Sequence, residues 1–342
     1  MTASELKTKI KSGSIGGAYI FCGEEDYLKK YYAKELERIA VPDEAFAPFN
    51  KCVFDGSDID LSELSAAMEA PPMMSDFKLI EWRYPSLDTM RKGEIDKIEE
   101  IASGLADYPH AVLVLTVGSD GFDPGTAKRP SKLATRLSKV FDLIIFDKST
   151  DAQLIGWLSR HFESEGVRAS QRSLSALIFR SGHSMEVLRG EVAKLSAYAK
   201  ANALPEITKE TVACVASATL ECDAFALSTA ITDKNREGAF LALADMQQRR
   251  IDAGAALAML ARAFSELVTI GSLSDEGKDA GDMEQLLRWN AWKIKICISS
   301  SKKWGTARLS SALSRLRELD AASKSGGVSG YKAIEMFICE YI

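Results

Sequence analysis

The sequence predicts an α/β domain built on a parallel sheet, followed by an all-helical region. Three observations carry this. Five short apolar runs alternate with helical patterns over the first 150 residues. No comparable run follows them. From there to the end, apolar residues recur at three- and four-residue spacing, which is the period of an amphipathic helix.

The strand candidates are "AYIFC" (18–22), "CVFD" (52–55), "KLIEW" (78–82), "AVLVLTV" (111–117) and "LIIFD" (143–147). The unbroken apolar character of 111–117 suits a central strand buried on both faces. Helical segments are expected near 26–40, 61–69, 94–106 and 129–138. Strands alternating with helices point to parallel pairing with helices covering the sheet.

After residue 150, "DAQLIGWLSRHFESEG", "SLSALIFRSG" and "MEVLRGEVAKLSAYAKA" read as helices, with Gly166 and Gly182 as stops. Thr208 is placed to cap a short helix over "KETVACVA". Longer helices are expected at 223–233, 236–250, 253–272, 282–304, 308–323 and 329–341. This organises the chain as 1–148, 149–216 and 217–342: an α/β domain, a small helical domain and a larger helical one.

Composition bounds the function. The chain has 342 residues and a net charge of −5, so any nucleic-acid contact must come from a local basic patch. Six cysteines (Cys22, Cys52, Cys214, Cys222, Cys297 and Cys339) are scattered without C-x-x-C pairs and read mostly as buried thiols of a reducing compartment. The first residues, "MTASELKTKIKSG", contain no apolar signal core, and no stretch reads as long enough to cross a membrane. A soluble, cytoplasmic protein with no membrane partner is expected.

Catalytic and cofactor chemistry finds little support. A P-loop needs G-x-x-x-x-G-K-[ST] after a strand; the nearest text, "GSLSDEGKD" (271–279), has its glycines one residue too far apart and Asp279 in place of the hydroxyl. The turn after the first strand carries Gly23 and then Glu24, Glu25 and Asp26, acids that would repel a triphosphate but suit a helix start. Three histidines (His110, His161 and His183) offer no zinc spacing, no G-x-S-x-G elbow is present, and Glu99–Glu100 falls on a polar helix face. No catalytic residue, metal ligand or cofactor is assigned.

Two stretches invite a binding role. In "EAPPMMSDFKLIEW" (69–82), two prolines break a helix before Met73 and Met74, with Phe77 close behind. The methionines either protrude as an adaptable apolar plug or fold back on the sheet. The stretch from Gln285 to Arg317 has no acid; it interleaves Arg288, Lys293, Lys295, Lys302, Lys303, Arg308, Arg315 and Arg317 with Trp289, Trp292 and Trp304. It is either a nucleic-acid surface or a tryptophan core with its cations turned outward. A smaller basic run at 127–139 contains Lys128, Arg129, Lys132, Arg136 and Lys139.

The ordered set of motifs resembles the delta subunit of the bacterial DNA polymerase III clamp loader along essentially the whole chain. The motifs are "YIFCGEEDYLKK", the segment "CVFDGSDIDLSELSAAMEAPPMMSDFKLIEW", then "GHSMEVLRGEVAKLSAYA" with Glu191 and Lys194, and "LRELDAASKSGG" with Asp320, Lys324 and Gly326. The resemblance implies a RecA/AAA+-like parallel-sheet domain, a three-helix lid and a helical collar. It also implies a subunit that does not itself hydrolyse ATP within a nucleotidyltransferase holoenzyme. Its implied partners are the beta sliding clamp, the gamma/tau and delta-prime subunits of a hetero-pentamer, and primed DNA. Carried over by motif, the clamp plug is Met73 and Met74, followed by Ser75 and Phe77; Met74 stands where the family commonly has Phe. Lys128, Arg129, Lys132 and Lys324 are candidate DNA contacts. The alternatives are an AAA+-like ATPase with an unconventional loop, or a stand-alone DNA-binding protein.

Overall fold

The structure is a computed structural model that describes residues 1–126, 129–287, 289 and 291–342, apart from the side chains of Ala291 and Trp292. It divides into two compact units, Met1–Thr150 and Asp151–Ile342.

The first unit opens with α1 (Ala3–Ser12), β1 (Gly17–Cys22) and α2 (Asp26–Ala40). Then come α3 (Ala47–Asn50), β2 (Lys51–Asp55), α4 (Leu61–Glu69), β3 (Lys78–Arg83) and α5 (Lys92–Gly104). β4 (Ala111–Thr116), the short strands β5 (Gly125–Thr126) and β6 (Arg129–Pro130), α6 (Lys132–Leu137) and β7 (Asp142–Ile145) complete it. Five strands form one parallel sheet in the order β2-β3-β4-β1-β7, with β1 paired to both β4 and β7.

Alternation along the strands builds two cores. Ile20, Ile80, Trp82, Leu113 and Leu115 face one side with Leu64, Ile95 and Leu137. Tyr19, Phe21, Leu79, Val112 and Val114 face the other with Leu6, Leu36 and Ile144. Every residue of β4 is buried, as its continuous apolar run predicted.

Two expectations are corrected in this unit. The segment expected as a helix from 129 begins at Lys132, because Arg129–Pro130 pair antiparallel with Gly125–Thr126. The first residues form a helix, α1, that the strand-and-helix pattern did not announce. Thr2 caps it in a box with Glu5, and it buries Leu6 and Ile10.

The second unit is helical among its described residues. α7 (Asp151–Ser164), α8 (Gln171–Ser181), α9 (Met185–Ala201) and α10 (Lys209–Val215) pack on one another. There follow α11 (Leu220–Thr232), α12 (Arg236–Gln248), α13 (Ala253–Asp275) and α14 (Ala280–Leu287), then α15 (Ala291–Trp304), α16 (Thr306–Lys324) and α17 (Gly330–Tyr341). The segment 282–304, expected as one helix, is therefore two.

α13 is the axis of this region. It buries Leu257, Leu260, Phe264, Leu267 and Ile270 against α11, α15, α16 and α17. Contrary to the expectation from sequence, α13 is long and apolar enough by length and composition to cross a membrane. The same composition serves a helix packed on several sides in a protein core.

Candidate functional site

At the strand-to-helix turn, Gly23 has φ +100°, and a Cβ there would meet the Phe146 carbonyl oxygen at 2.4 Å, so only glycine fits. The turn is welded to the chain after β7: Phe146 N–H donates to the Cys22 carbonyl at 2.8 Å, and Glu25 N–H donates to the Phe146 carbonyl at 2.9 Å. A phosphate cradle needs free backbone N–H groups here, and that of Glu25 is spent.

Lys29, from the second turn of α2, reaches back into the same crevice and is 1% exposed. Its ammonium donates to the Gly23 carbonyl at 2.9 Å and to the Val117 carbonyl at 2.7 Å, and pairs with Asp26 at 2.8 Å. The crevice between the ends of β1 and β4 is thus filled by the protein's own cation. The three acids divide in role. Glu24 pairs with Lys148 at 3.1 Å and Asp26 with Lys29, while Glu25 is buried at the N-cap position, where burial pushes its carboxyl above its ordinary value.

The loop after α4 is a presented platform. α4 ends at Glu69 with Ala70 as its C-cap, and Pro71–Pro72 prevent its continuation. Asn50, the last residue of α3, is fully buried, and its carboxamide grips the backbone of Met73 from both sides. Nδ2 donates to the Met73 carbonyl at 2.8 Å, and Oδ1 accepts from Met73 N–H at 2.7 Å. Ser75 Oγ donates to the carbonyl of Ala40, the last residue of α2, at 2.8 Å and accepts from Phe77 N–H at 3.4 Å. Lys78, 5% exposed, donates to the Ala70 carbonyl at 3.4 Å.

Between these ties the two methionines face outward. Met73 is 45% exposed and Met74 79% exposed. Met74 also has φ +54°, a left-handed backbone that costs a side-chain-bearing residue about 1–2 kcal/mol. Of the four residues expected at the plug, only these two sit at the tip. Ser75 is an internal tie. Phe77 turns inward, packing against the α1–α2 core with its ring 3.7 Å from where a Gly16 Cβ would stand.

The expected DNA contacts are spread. Arg129 and Lys132 are exposed in the first unit, and Lys128 lies outside the described residues. Lys324, in the second unit, is held by Asp320 of its own helix at 2.5 Å.

The acid-free stretch 285–317 resolves toward the tryptophan-core reading, although Arg288 and the Trp292 side chain lie outside the described residues. Trp304 is buried, donating Nε1–H to the Thr232 carbonyl at 2.9 Å. Lys293 bridges Glu221 (3.0 Å) and Glu266 (2.8 Å); Lys303 pairs with Asp233 at 2.6 Å, and Arg315 with Glu340 at 2.7 Å. Burial pulls Lys293 down, but its two carboxylates outweigh this and hold it above the ordinary lysine value.

Among the described residues, no group of three or more His, Cys, Asp or Glu could hold a metal. Burial pushes the thiols of Cys22 and Cys297 up to about 12 and that of Cys222 to about 11, whereas Cys214 and Cys339 are exposed.

Comparison with known proteins places this geometry. Residues 221–341 match the family model described as "DNA polymerase III delta subunit, C-terminal domain". The C-terminal region is of the delta type. Over the whole chain, the structure resembles the DNA clamp loader delta protein of Bacillus subtilis, with a TM-score of 0.63 at 18% identity, covering 99% of this chain and 98% of that one. At that identity the likeness establishes the fold. Looser likenesses are to the Holliday junction branch migration motor RuvB of Thermotoga maritima (TM-score 0.39, 11% identity, 62% of this chain and 67% of that one) and to a DNA polymerase III gamma subunit-related protein of the same organism (TM-score 0.37, 11% identity, 98% of each chain). A comparison with curated protein sequences gives no match. The resemblance carried by the sequence motifs therefore holds, as a delta-type domain by family at the C-terminal end and as a clamp-loader delta fold along the chain.

Asn50 and Lys29 were missed by sequence reasoning. Their only signals were a polar residue inside the apolar stretch "APFNKCVF" and one lysine of a Lys-Lys pair on the face of α2 that otherwise buries Ala33 and Leu36.

Proposed function

We propose that this chain is the delta subunit of a DNA polymerase III clamp loader: it docks on the beta sliding clamp through Met73 and Met74 and favours opening of the ring, without hydrolysing ATP itself. The observation that supports this most is the loop itself. Two apolar side chains stand exposed at its tip, one of them on a strained backbone, while Asn50 and Ser75 hold the backbone beneath. Backbone strain maintained by partly buried hydrogen bonds fits a site set in advance for a partner.

A docked plug can shift the clamp between closed and open states only by the difference in its affinity for the two. Thioether side chains fill irregular apolar pockets well, which suits Met74 where the family commonly has Phe. The filled crevice at Lys29 supports the absence of hydrolysis in this subunit. Residues 149–216 and 217–342 would act as lid and collar, with the collar joining gamma/tau and delta-prime subunits in a cytoplasmic hetero-pentamer. Arg129, Lys132 and Lys324 would meet the phosphate backbone of primed DNA, which positions without reading sequence.

The test is clamp binding by the full chain and by a Met73→Ala/Met74→Ala variant, followed by calorimetry. Wild type should bind its cognate clamp and the variant should lose at least ten-fold in affinity. Equal binding by the two would remove the plug assignment.

A further inference from the structure

A groove of about 630 Å³ runs between α1 and α2, lined in part by Lys7, Lys11, Tyr31, Tyr32 and Arg38. It plays no part in the proposed clamp contact. We propose that this groove binds single-stranded DNA, with its lysines on phosphates and Tyr31 under a base.

The charge is local and unbalanced. Lys7 and Lys11 stand four apart on α1, and Arg38 lies two turns after Tyr31 on the same face of α2. Like charges at that spacing weaken a helix by a few tenths of a kcal/mol, so pairing does not explain Lys7 with Lys11, although Lys11 and Arg38 each suit the last turn of their helix. Glu35 is the acid on the groove wall, and its contact with Arg38 is long, at 3.6 Å. Lys7 and Lys11 have no acidic partner among the described residues. In contrast, Lys9, between Lys7 and Lys11, turns away to Asp142 at 3.0 Å. On a chain of net charge −5, this is a patch of opposite sign.

The aromatic component selects nucleic acid over other polyanions. Tyr31 is 46% exposed, its ring near-parallel to that of Tyr27 (18°, centroids 6.5 Å apart) and edge-on to Tyr32 (5.3 Å). Tyr32 is anchored by stacking on Phe146 at 5.4 Å, so the row is held from beneath. A cationic groove with ring surface on its wall is the arrangement that binds single strands without sequence preference, because every base has a face to stack. A duplex hides those faces.

The experiment is fluorescence anisotropy of a labelled fifteen-nucleotide oligo-dT with the full chain, from 50 to 300 mM salt. Three cations on phosphates give a slope of log K against log salt of about −2, and Lys7→Ala/Lys11→Ala should make it shallower by about 1.4. Tyr31→Ala should weaken binding roughly ten-fold with the slope unchanged, and Tyr31→Phe should restore it. Melting temperatures of the variants confirm folding. Three results would overturn the proposal: no binding at 50 mM salt; equal binding by the Lys7/Lys11 variant; or polyglutamate competing as well as oligo-dT with no effect of Tyr31→Ala. Loss of binding on Arg129→Ala/Lys132→Ala alone would place the strand elsewhere and also overturn it. The Met73→Ala/Met74→Ala variant should bind oligo-dT like wild type, so this test stands or falls apart from the clamp assignment.

Discussion

Replacing Asn50 with alanine leaves both exposed methionines in place and removes only what holds the loop under them. Two hydrogen bonds to the Met73 backbone, at 2.7 and 2.8 Å, are lost. Each is worth about 1 kcal/mol net, and the backbone groups left behind are partly buried, adding up to about 1 kcal/mol apiece. The native loop conformation therefore loses about 2–4 kcal/mol relative to alternatives. Relaxing the left-handed backbone of Met74 returns about 1–2 kcal/mol to those alternatives. With Asn50 in place its two ties outweigh that strain; without them the strain alone favours the relaxed loop by about 1–2 kcal/mol, and apparent affinity scales with the competent fraction. Clamp binding should then weaken roughly five- to thirty-fold at 1.4 kcal/mol per decade. Calorimetry against the cognate clamp measures the loss, and hydrogen exchange of the Met73 amide, now bonded to Asn50 Oδ1, reports whether the loop has loosened. Unchanged affinity together with lost protection of that amide would refute the reasoning, since it would show that the plug needs no preset backbone.

Three further outcomes follow from the geometry. Lys29→Met keeps the stem but leaves the carbonyls of Gly23 and Val117 without their donor, and should destabilise the chain by about 2–4 kcal/mol in urea unfolding; a loss below about 0.5 kcal/mol would mean the crevice closes without it. Glu25→Gln tests linkage. Burial raises the folded-state pKa of Glu25 above its ordinary 4.5, so between those values the native state holds more protons than the unfolded, and stability falls as pH rises through the window. The variant should be more stable than wild type at pH 7, with the difference vanishing below about pH 4.5; a pH-independent difference would rule the assignment out. Lys293→Ala leaves Glu266, 12% exposed, beside an empty position and should cost about 2–4 kcal/mol of thermal stability, whereas an exposed cation of a DNA-binding stripe would cost almost nothing.

Much of the fold was legible because it rests on periodicity. β4 reads as buried on both faces from seven letters, and α2 and α4 begin and end where their patterns do. What the pattern missed was made of polar residues or distant partners. α1 is mostly Lys, Ser and Thr and buries only Leu6 and Ile10. The acid-free stretch looked like a free basic stripe because the acids that neutralise it lie far off in sequence: Glu221 is 72 residues from Lys293, Asp233 is 70 from Lys303, and Glu340 is 25 from Arg315. Met73 and Met74 could be named from their motif, but not their exposure. That depends on Asn50, 23 residues earlier, whose grip on the backbone leaves no trace in hydrophobic spacing.

The buried ammonium of Lys29 also bears on how this unit behaves in a cell. A crevice held together by a diffusing ligand is as firm as that ligand is abundant, because stabilisation grows with its concentration. Here the cation arrives on the chain, a few residues from the turn it secures, and no change in the surrounding solution can dilute it. The α/β unit should keep one melting temperature across nucleotide concentrations that would stiffen or loosen a ligand-dependent relative. In an assembly whose other members respond to nucleotide, such a unit would act as a fixed reference against which their movements become force.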